Sequence, residues 1–152
     1  MSKEEFNAQA AHRYFSATCF NSTWDLIDKT DRSDEENQKM LLSCYASLYH
    51  WTNREDANDQ NFSIGYWQLS RVHALMNNPQ AAFENATRCL SYSHNLEPFY
   101  LGYAYEAQAR AKKIAQELES FQIILKKAWA QHALIEDKEL AQMLGKDLQS
   151  LA

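Results

Sequence analysis

The stretch from residue 64 to residue 90 reads IGYWQLSRVHALMNNPQAAFENATRCL, and it decides the fold class. Its centre, Asn77-Asn78-Pro79, combines a residue that caps helix N-termini with a proline, which is tolerated at the first position of a helix. On both sides of this centre apolar residues recur every three or four positions, which is the period of an α-helix. The stretch therefore predicts two helices joined by a tight turn, the second starting at the proline.

The composition of the whole chain favours the same class of structure. Only 3 Gly and 2 Pro occur among 152 residues, whereas the turns of all-β folds draw heavily on glycine. Hydrophobic residues make up 45%, which is enough for a core, and the length suits one domain. The sequence therefore predicts an all-α protein with a single domain over residues 1–152.

Similar periodic stretches extend outward from the central hairpin in both directions. Ser33 and Glu36 have the spacing of a capping box, and Asp137 has the character of an N-cap. A long stretch after Phe99 contains no proline, and a turn is predicted there at residues 115–117 because one helix of that length would be unusual in a small domain. The predicted helices cover about residues 3–29 (with an optional break at Asn21-Ser22), 33–51, 64–76, 79–93, 98–114, 118–129 and 137–151, and the polar residues 52–63 form the longest loop.

The central hairpin resembles a tetratricopeptide repeat. The segment Tyr66-x-x-Leu69-Ser70-x-x-His73 is followed by Ala82-x-x-x-Ala86-x-x-Cys89, which is similar to the two helices of that repeat. His73 and Ala86 stand where the family has aromatic residues, and Ser70 stands for its glycine. Ser70 and Ala82 are small, so two helix backbones can approach closely where they cross.

A weaker second copy of the pattern is predicted about 38 residues later, where Phe83, Ala86 and Leu90 map onto Phe121, Ile124 and Ala128. The resemblance covers about 34 residues of the chain, one repeat length of the family. It implies antiparallel helical hairpins stacked as a short right-handed superhelix. It also implies a C-terminal capping helix, because each hairpin leaves one face unburied.

Several short phrases resemble those of short bacterial proteins of this length. The phrases are Trp24-Asp25-Leu26, Ser47-Leu48-Tyr49-His50-Trp51, Trp67-Gln68-Leu69-Ser70-Arg71-Val72 and Ala104-Tyr105-Glu106-Ala107. This resemblance implies a bacterial cytoplasmic protein and supplies no activity.

Charge and hydropathy argue against two classes of partner. Lys and Arg total 15 against 20 Asp and Glu, which gives a net charge of −5, and no basic cluster is present. Binding to a nucleic-acid backbone is therefore not expected. No apolar run approaches the roughly 20 residues that a membrane helix needs, and the acidic N-terminus lacks the apolar core of a signal peptide. The sequence thus predicts a cytoplasmic protein with neither nucleic acid nor membrane as partner.

No motif points to catalysis or to a metal. The five histidines include no pair four residues apart and no HExxH, and the three cysteines are widely spaced. Cys44 and His50 share a helix, but their six-residue spacing points them to different sides. The motifs of serine hydrolases, phosphate-binding loops and dinucleotide-binding folds are absent from the sequence. We therefore expect no enzyme activity, no cofactor and no metal site.

The resemblance instead points to a groove. In tetratricopeptide arrays the first helix of each hairpin lines the concave face, so the candidate groove residues are Trp67, Arg71, Leu75, Tyr105 and Lys112. Arg71 and Lys112 would be the cations, because arginine binds carboxylates through two hydrogen bonds and aromatic residues anchor many interfaces.

An alternative remains open for two of these residues. Trp67 could belong to the core, and Arg71 could pair with Glu106 inside the fold instead of with a ligand. Glu106 and Arg110 lie four residues apart, which predicts an ion pair on an exposed helix face.

The function predicted from these patterns is a module that binds a protein or peptide in its helical groove. The first alternative is a homodimer or larger homo-oligomer with a structural or regulatory role, in which an aromatic surface forms the interface. The less favoured alternative is a helical protein that binds a small molecule. The sequence identifies no particular partner.

Overall fold

The computed structural model describes residues 5–152, and the predicted start of the first helix at Lys3 lies outside this range. Within the described residues the chain forms seven α-helices and no strand, which confirms the all-α class. The helices are α1 (Ala8–Ile27), α2 (Asp34–Thr52), α3 (Asp59–Leu75), α4 (Pro79–Ser93), α5 (Pro98–Ile114), α6 (Leu118–His132) and α7 (Lys138–Leu151).

Side-chain caps place several of the helix starts where the sequence predicts them. The Glu36 N–H donates to Ser33 Oγ at 3.2 Å, and the Ser33 N–H donates to Glu36 Oε1 at 3.4 Å, so the capping box forms in both directions. Asp137 Oδ1 accepts the N–H groups of Glu139 and Leu140 at 2.9 and 3.0 Å. These bonds satisfy backbone donors that have no partner within the helix.

The predicted loop over residues 52–63 is too long. Asn58 and Asn61 form a second reciprocal cap, with distances of 3.1 and 3.0 Å between each side-chain oxygen and the other residue's backbone nitrogen. This cap starts α3 at Asp59, five residues before the predicted position, and leaves only residues 53–58 between the helices. Asparagine and aspartate favour both loops and helix N-termini, which is why their composition alone was misleading.

The chain divides into two compact units, Met1–Ala57 and Asn58–Ala152. The first unit is the hairpin of α1 and α2, and α1 runs without a break through Asn21-Ser22. The Ser47 hydroxyl donates to the Ser16 carbonyl at 2.8 Å across the hairpin. Most of the buried residues described in this unit are small or polar, and Met40 and Leu48 are the exceptions. The full set is Ser16, Thr23, Met40, Cys44, Ser47 and Leu48.

The second unit contains α3–α7, and α5 lies at its centre, packed against each of the other four helices. Ser70 and Ala82 are both buried, and the Ser70 hydroxyl donates to the Ala82 carbonyl at 2.7 Å, so the close crossing of α3 and α4 is as predicted. Gly102 leaves room for the Leu144 side chain of α7, since a Cβ at this position would lie 2.6 Å from Leu144 Cδ2.

The second unit contains an internal repeat of 39 residues. Each boundary of the α5–α6 hairpin lies 39 residues after the matching boundary of the α3–α4 hairpin, as the pairs 59 and 98, 75 and 114, 79 and 118, and 93 and 132 show. The predicted offset of about 38 residues is therefore one residue short. It matched Phe83 to Phe121, whereas the helices align Ala82 with Phe121.

The two hairpins also close with the same turn. Asn77 and Gln116, which are 39 positions apart, both have positive φ, at 55° and 61°. The next residue in each turn donates its N–H back into the helix, from Asn78 to the His73 carbonyl at 2.9 Å and from Glu117 to the Lys112 carbonyl at 3.0 Å. This is the Schellman pattern of a helix C-terminus, so the repeat extends to individual hydrogen bonds.

None of the helices in the described part of the chain has both the length and the apolar character required to cross a membrane.

Candidate binding site around Arg71

Two arginines occupy equivalent positions on the central helices of the second unit. With the 39-residue offset, Arg71 on α3 corresponds to Arg110 on α5. The residues one turn before them also correspond, and these differ in chemistry, because Trp67 precedes Arg71 whereas Glu106 precedes Arg110. The helices α3 and α5 pack against each other, so both pairs belong to one neighbourhood.

Arg110 has an internal partner. Its Nη2 and Nε atoms lie 2.6 and 3.1 Å from Glu106 Oε1. The Glu106 side chain is only 1% exposed, against 17% for Arg110, so this is a buried ion pair. The prediction that Glu106 and Arg110 pair is confirmed, but the exposed location predicted for them is wrong, because α5 is covered by neighbours on most of its surface.

Trp67 completes the coordination of the same carboxylate. Its indole Nε1–H donates to Glu106 Oε2 at 2.9 Å, so both oxygens of Glu106 are occupied and α3 is tied to α5. The Trp67 ring also lies edge-on to Tyr103, with 5.6 Å between the ring centroids. Trp67 is half-buried and therefore combines a structural contact with an accessible surface.

Tyr103 extends this arrangement to α7. Its hydroxyl donates to Asp147 Oδ2 at 2.7 Å, and burial together with this hydrogen bond raises the pKa of Tyr103 well above its ordinary value. The tyrosine is thus a neutral donor at physiological pH. Phe99 packs edge-on against it at 5.0 Å, so Trp67, Tyr103 and Phe99 form a connected aromatic wall.

Arg71 has no such partner. It is half-buried, yet it forms no hydrogen bond and no ion pair with any residue in the described part of the chain. Burial lowers the pKa of the Arg71 guanidinium, and the charge of Arg110 lowers it further, against the opposing charges of Glu106 and Asp147. The internal pairing of Arg71 with Glu106 is absent, since Arg110 and Trp67 already hold both carboxylate oxygens.

The remaining predicted groove residues, Leu75, Lys112 and Tyr105, each have different surroundings. Leu75, one turn beyond Arg71 on α3, is 37% exposed. Lys112 pairs with Glu117 at 2.7 Å, and its ammonium lies 4.2 Å from the centroid of the Phe83 ring. Tyr105 packs against the core formed by α5, α6 and α7. The structure therefore places Tyr103, and not Tyr105, beside Trp67.

Sequence reasoning missed Tyr103 and Asp147. The 39-residue offset could have identified Tyr103, because it aligns Tyr103 with Ile64. Ile64 lies on α3 one turn before Trp67, so Tyr103 has the matching position on α5. No comparable signal marks Asp147, since its position depends on how α7 packs against α5.

The thiols and metal-ligating groups do not form a second site in the region described. No group of three or more His, Cys, Asp or Glu residues that could hold a metal ion is found among residues 5–152. Burial raises the pKa of the Cys44 thiol to about 12 and that of Cys89 to about 11. Both thiols are therefore protonated at neutral pH and poorly nucleophilic.

Comparison with known proteins returns no match: neither a family model, nor a curated protein, nor a solved structure matches this sequence.

Proposed function

We propose that this protein is a helical interaction module that binds a protein or peptide partner through a carboxylate held by Arg71. The observation that carries the proposal is the unpaired state of Arg71. In the equivalent position of the next hairpin the arginine is neutralised by a glutamate one turn earlier, whereas Arg71 has Trp67 there. The missing carboxylate is the group that a partner would supply.

The energetics support a ligand at this position. A guanidinium that is partly removed from water without hydrogen bonds costs free energy, and a bound carboxylate recovers it through two parallel hydrogen bonds. The aromatic wall of Trp67, Tyr103 and Phe99 supplies flat apolar surface next to the cation, and tryptophan, tyrosine and arginine are the residues most enriched at interface hot spots.

The local charges favour a monovalent anion. The two arginines are offset by the carboxylates of Glu106 and Asp147, both of which act on Arg71. Repulsion from these two groups weakens binding of a doubly charged phosphate more than binding of a carboxylate. We therefore favour an acidic side chain or the C-terminus of a polypeptide as the recognised group.

The helix arrangement is compatible with a groove of the tetratricopeptide type. Within the second unit α5 packs against both helices of the preceding hairpin, and α7 packs against α5 and α6. In this proposal α3 and α5 line the concave face and α7 is the capping helix. The face between them would carry Trp67, Arg71 and Tyr103.

The proposal can be tested by NMR with defined peptides. The wild-type protein is titrated with a short glutamate-containing peptide that has a free C-terminus, and separately with its glutamine-containing C-terminal amide. We expect the acidic peptide to shift the Arg71 Nε–H and Trp67 Nε1–H resonances to saturation, and the amide peptide to have little effect.

Arg71→Gln should abolish the response, whereas the matched control Arg88→Gln should not. Arg88 is an exposed arginine on α4 in the same unit. Equal responses to both peptides would contradict recognition of a carboxylate. A dissociation constant above about 1 mM for the acidic peptide, which corresponds to less than about 4 kcal/mol of binding, would contradict the proposal as a whole.

A further inference from the structure

The first unit exposes a band of large hydrophobic side chains that the Arg71 site does not involve. Its members come from both helices of the α1–α2 hairpin, and each is between 45% and 67% exposed. We call this set the aromatic band: Tyr14 (63%), Phe15 (45%), Leu42 (67%), Tyr45 (47%) and Tyr49 (64%).

The aromatic band is continuous. The Tyr14 and Phe15 rings lie 5.1 Å apart, and Phe15 contacts His50 at 5.4 Å, which in turn contacts Tyr49 at 5.5 Å. On α2, Leu42, Tyr45 and Tyr49 follow one another at spacings of three and four residues. This spacing places them on one helix face and is the spacing of helix–helix interfaces in coiled coils.

The band also lacks charge. No Asp, Glu, Lys or Arg occurs from residue 14 to residue 24, or from residue 40 to residue 51, although both stretches include exposed positions. Ordinary exposed helix faces carry charged residues, whereas the centres of protein interfaces are depleted in charge and enriched in aromatic residues. The exposed hydrophobic residues of the second unit differ, because they are spread over separate helices and loops: Leu75, Leu118, Ile123, Leu134 and Met143.

We infer that the aromatic band is the interface of a homodimer, covered by the same band of a second copy of this protein. A second copy fits because an uncharged face needs no complementary charge, and a two-fold interface requires only that one patch match itself. Two copies of a protein with net charge −5 repel each other elsewhere on their surfaces, so a charge-free face is where they can meet.

The area available is in the range that a dimer needs. A fully buried aromatic side chain removes about 150–250 Å² from water, so five half-exposed side chains offer roughly 500 Å² on each copy. Neighbouring rim residues bring this toward the roughly 800 Å² per partner of a standard interface. Pairing two α1–α2 hairpins in this way would give a four-helix arrangement with a shared apolar centre.

The test is sedimentation equilibrium over a concentration series from about 1 to 500 µM, a range that includes the micromolar affinities of the weaker interfaces of this size. The wild-type protein is expected to approach twice its monomer mass. Tyr49→Lys is expected to weaken the dimer by about thirtyfold or more, the loss typical of a hot-spot residue. The matched control Ile123→Lys, at a 53% exposed position on α6, should leave it intact.

A wild-type protein that stays monomeric throughout the series overturns the inference, and so does a dimer that Tyr49→Lys leaves unchanged. Circular dichroism melting checks that each variant is folded. A measurement on the wild-type protein avoids variants altogether: in a mixture of labelled and unlabelled protein, isotope-filtered NOEs should connect Leu42 methyl groups to tyrosine rings of the other copy. Intermolecular NOEs confined to the second unit would place the interface elsewhere and refute the proposal.

Discussion

The two hairpins of the second unit have the same helix lengths and the same closing turn, yet they use the same residue differently. In the α5–α6 hairpin, Arg110 is held by Glu106 through two hydrogen bonds at a buried site. In the α3–α4 hairpin, Trp67 occupies the position of the glutamate, and Arg71 has no hydrogen-bond or ion-pair partner among residues 5–152. The residue four positions earlier thus distinguishes an arginine held in a buried ion pair from one that makes no such pair in the described part of the chain.

Trp67 also contributes to the Glu106–Arg110 ion pair of the other hairpin. Its indole donates to the Glu106 oxygen that Arg110 does not contact. The presence of Trp67 in place of a glutamate therefore leaves Arg71 without an adjacent carboxylate and gives Glu106 an additional hydrogen-bond donor. Residues of α3 and α5 thus form one polar cluster around Glu106.

The largest effect is expected from Arg110→Ala. Removing Arg110 leaves the Glu106 carboxylate buried without its cation, and breaking a buried pair in this way typically costs about 3–5 kcal/mol. The free energy of unfolding in urea should fall by that amount. An effect below about 1 kcal/mol would show that the pair is not buried as described.

A smaller loss is expected from Trp67→Phe. The phenyl ring keeps most of the apolar contact, but Glu106 Oε2 loses its donor, and hydrogen bonds to charged groups contribute about 1.5–3 kcal/mol. Trp129→Phe on α6 is the control, because in the described part of the chain the Trp129 indole nitrogen makes no hydrogen bond. If the two variants lost equal free energy of unfolding, the hydrogen bond from Trp67 to Glu106 would not be the cause of the loss.

Substitutions in the closing turns of the two hairpins, at Asn77 and Gln116, are expected to stabilise the protein. Gln116 is held at a φ of 61°, a conformation that glycine adopts freely and that asparagine tolerates better than glutamine does. Gln116→Gly should raise the free energy of unfolding by about 0.5–1 kcal/mol. Asn77→Gly in the equivalent turn should gain less, and the reverse order in thermal melts would contradict the equivalence of the turns.

The smallest effect on stability is expected from Arg71→Ala, made as the counterpart of Arg110→Ala. Arg71 pairs with no carboxylate in the part of the chain that the structure describes, so its removal leaves none of them unpaired, and the free energy of unfolding should change by less than about 0.5–1 kcal/mol. Differential scanning calorimetry of the two variants side by side measures the contrast. A loss for Arg71→Ala as large as that for Arg110→Ala would mean that Arg71 is structural.

Local signals in the sequence were sufficient for much of the fold. The starts of α2, α4 and α7 follow from Ser33, Pro79 and Asp137, because a cap or a proline acts within one turn of its own position. The start of α3 was missed, since Asn58 and its neighbours suit a loop and a helix N-terminus equally well. The start of a helix can therefore be predicted from the sequence where a local motif is compatible with a helix N-terminus and not with a continuing loop.

The candidate site was predictable only in part. Trp67 and Arg71 were identified from the resemblance to a tetratricopeptide repeat, in which the first helix of a hairpin lines the groove, and their four-residue spacing places them on one helix face. The burial of Glu106 was not predictable, because it depends on α5 being surrounded by the other helices of its unit. Asp147 comes from α7, and the contact it makes with Tyr103 is set by tertiary packing. Contacts that depend on packing between distant helices do not produce a periodic pattern in the sequence, so they could not be predicted from it.

The contact between His12 and His50 makes the first unit sensitive to protons. Their Nδ1 atoms lie 2.9 Å apart, so one imidazole must donate to the unprotonated nitrogen of the other. Burial lowers the pKa of His50 from its ordinary value of 6.5, and nearby His12 lowers it further. Folding thus favours neutral His50, and the stability this contributes is present above pH 6.5 and is lost as the pH falls from there through the lowered pKa of the folded state.

Acidification is therefore expected to weaken the contact between His12 and His50, where Phe15 and Tyr49 pack on the His50 ring. Phe15 and Tyr49 belong to the aromatic band, so a change in the charge of His50 would be felt directly by two of its five side chains.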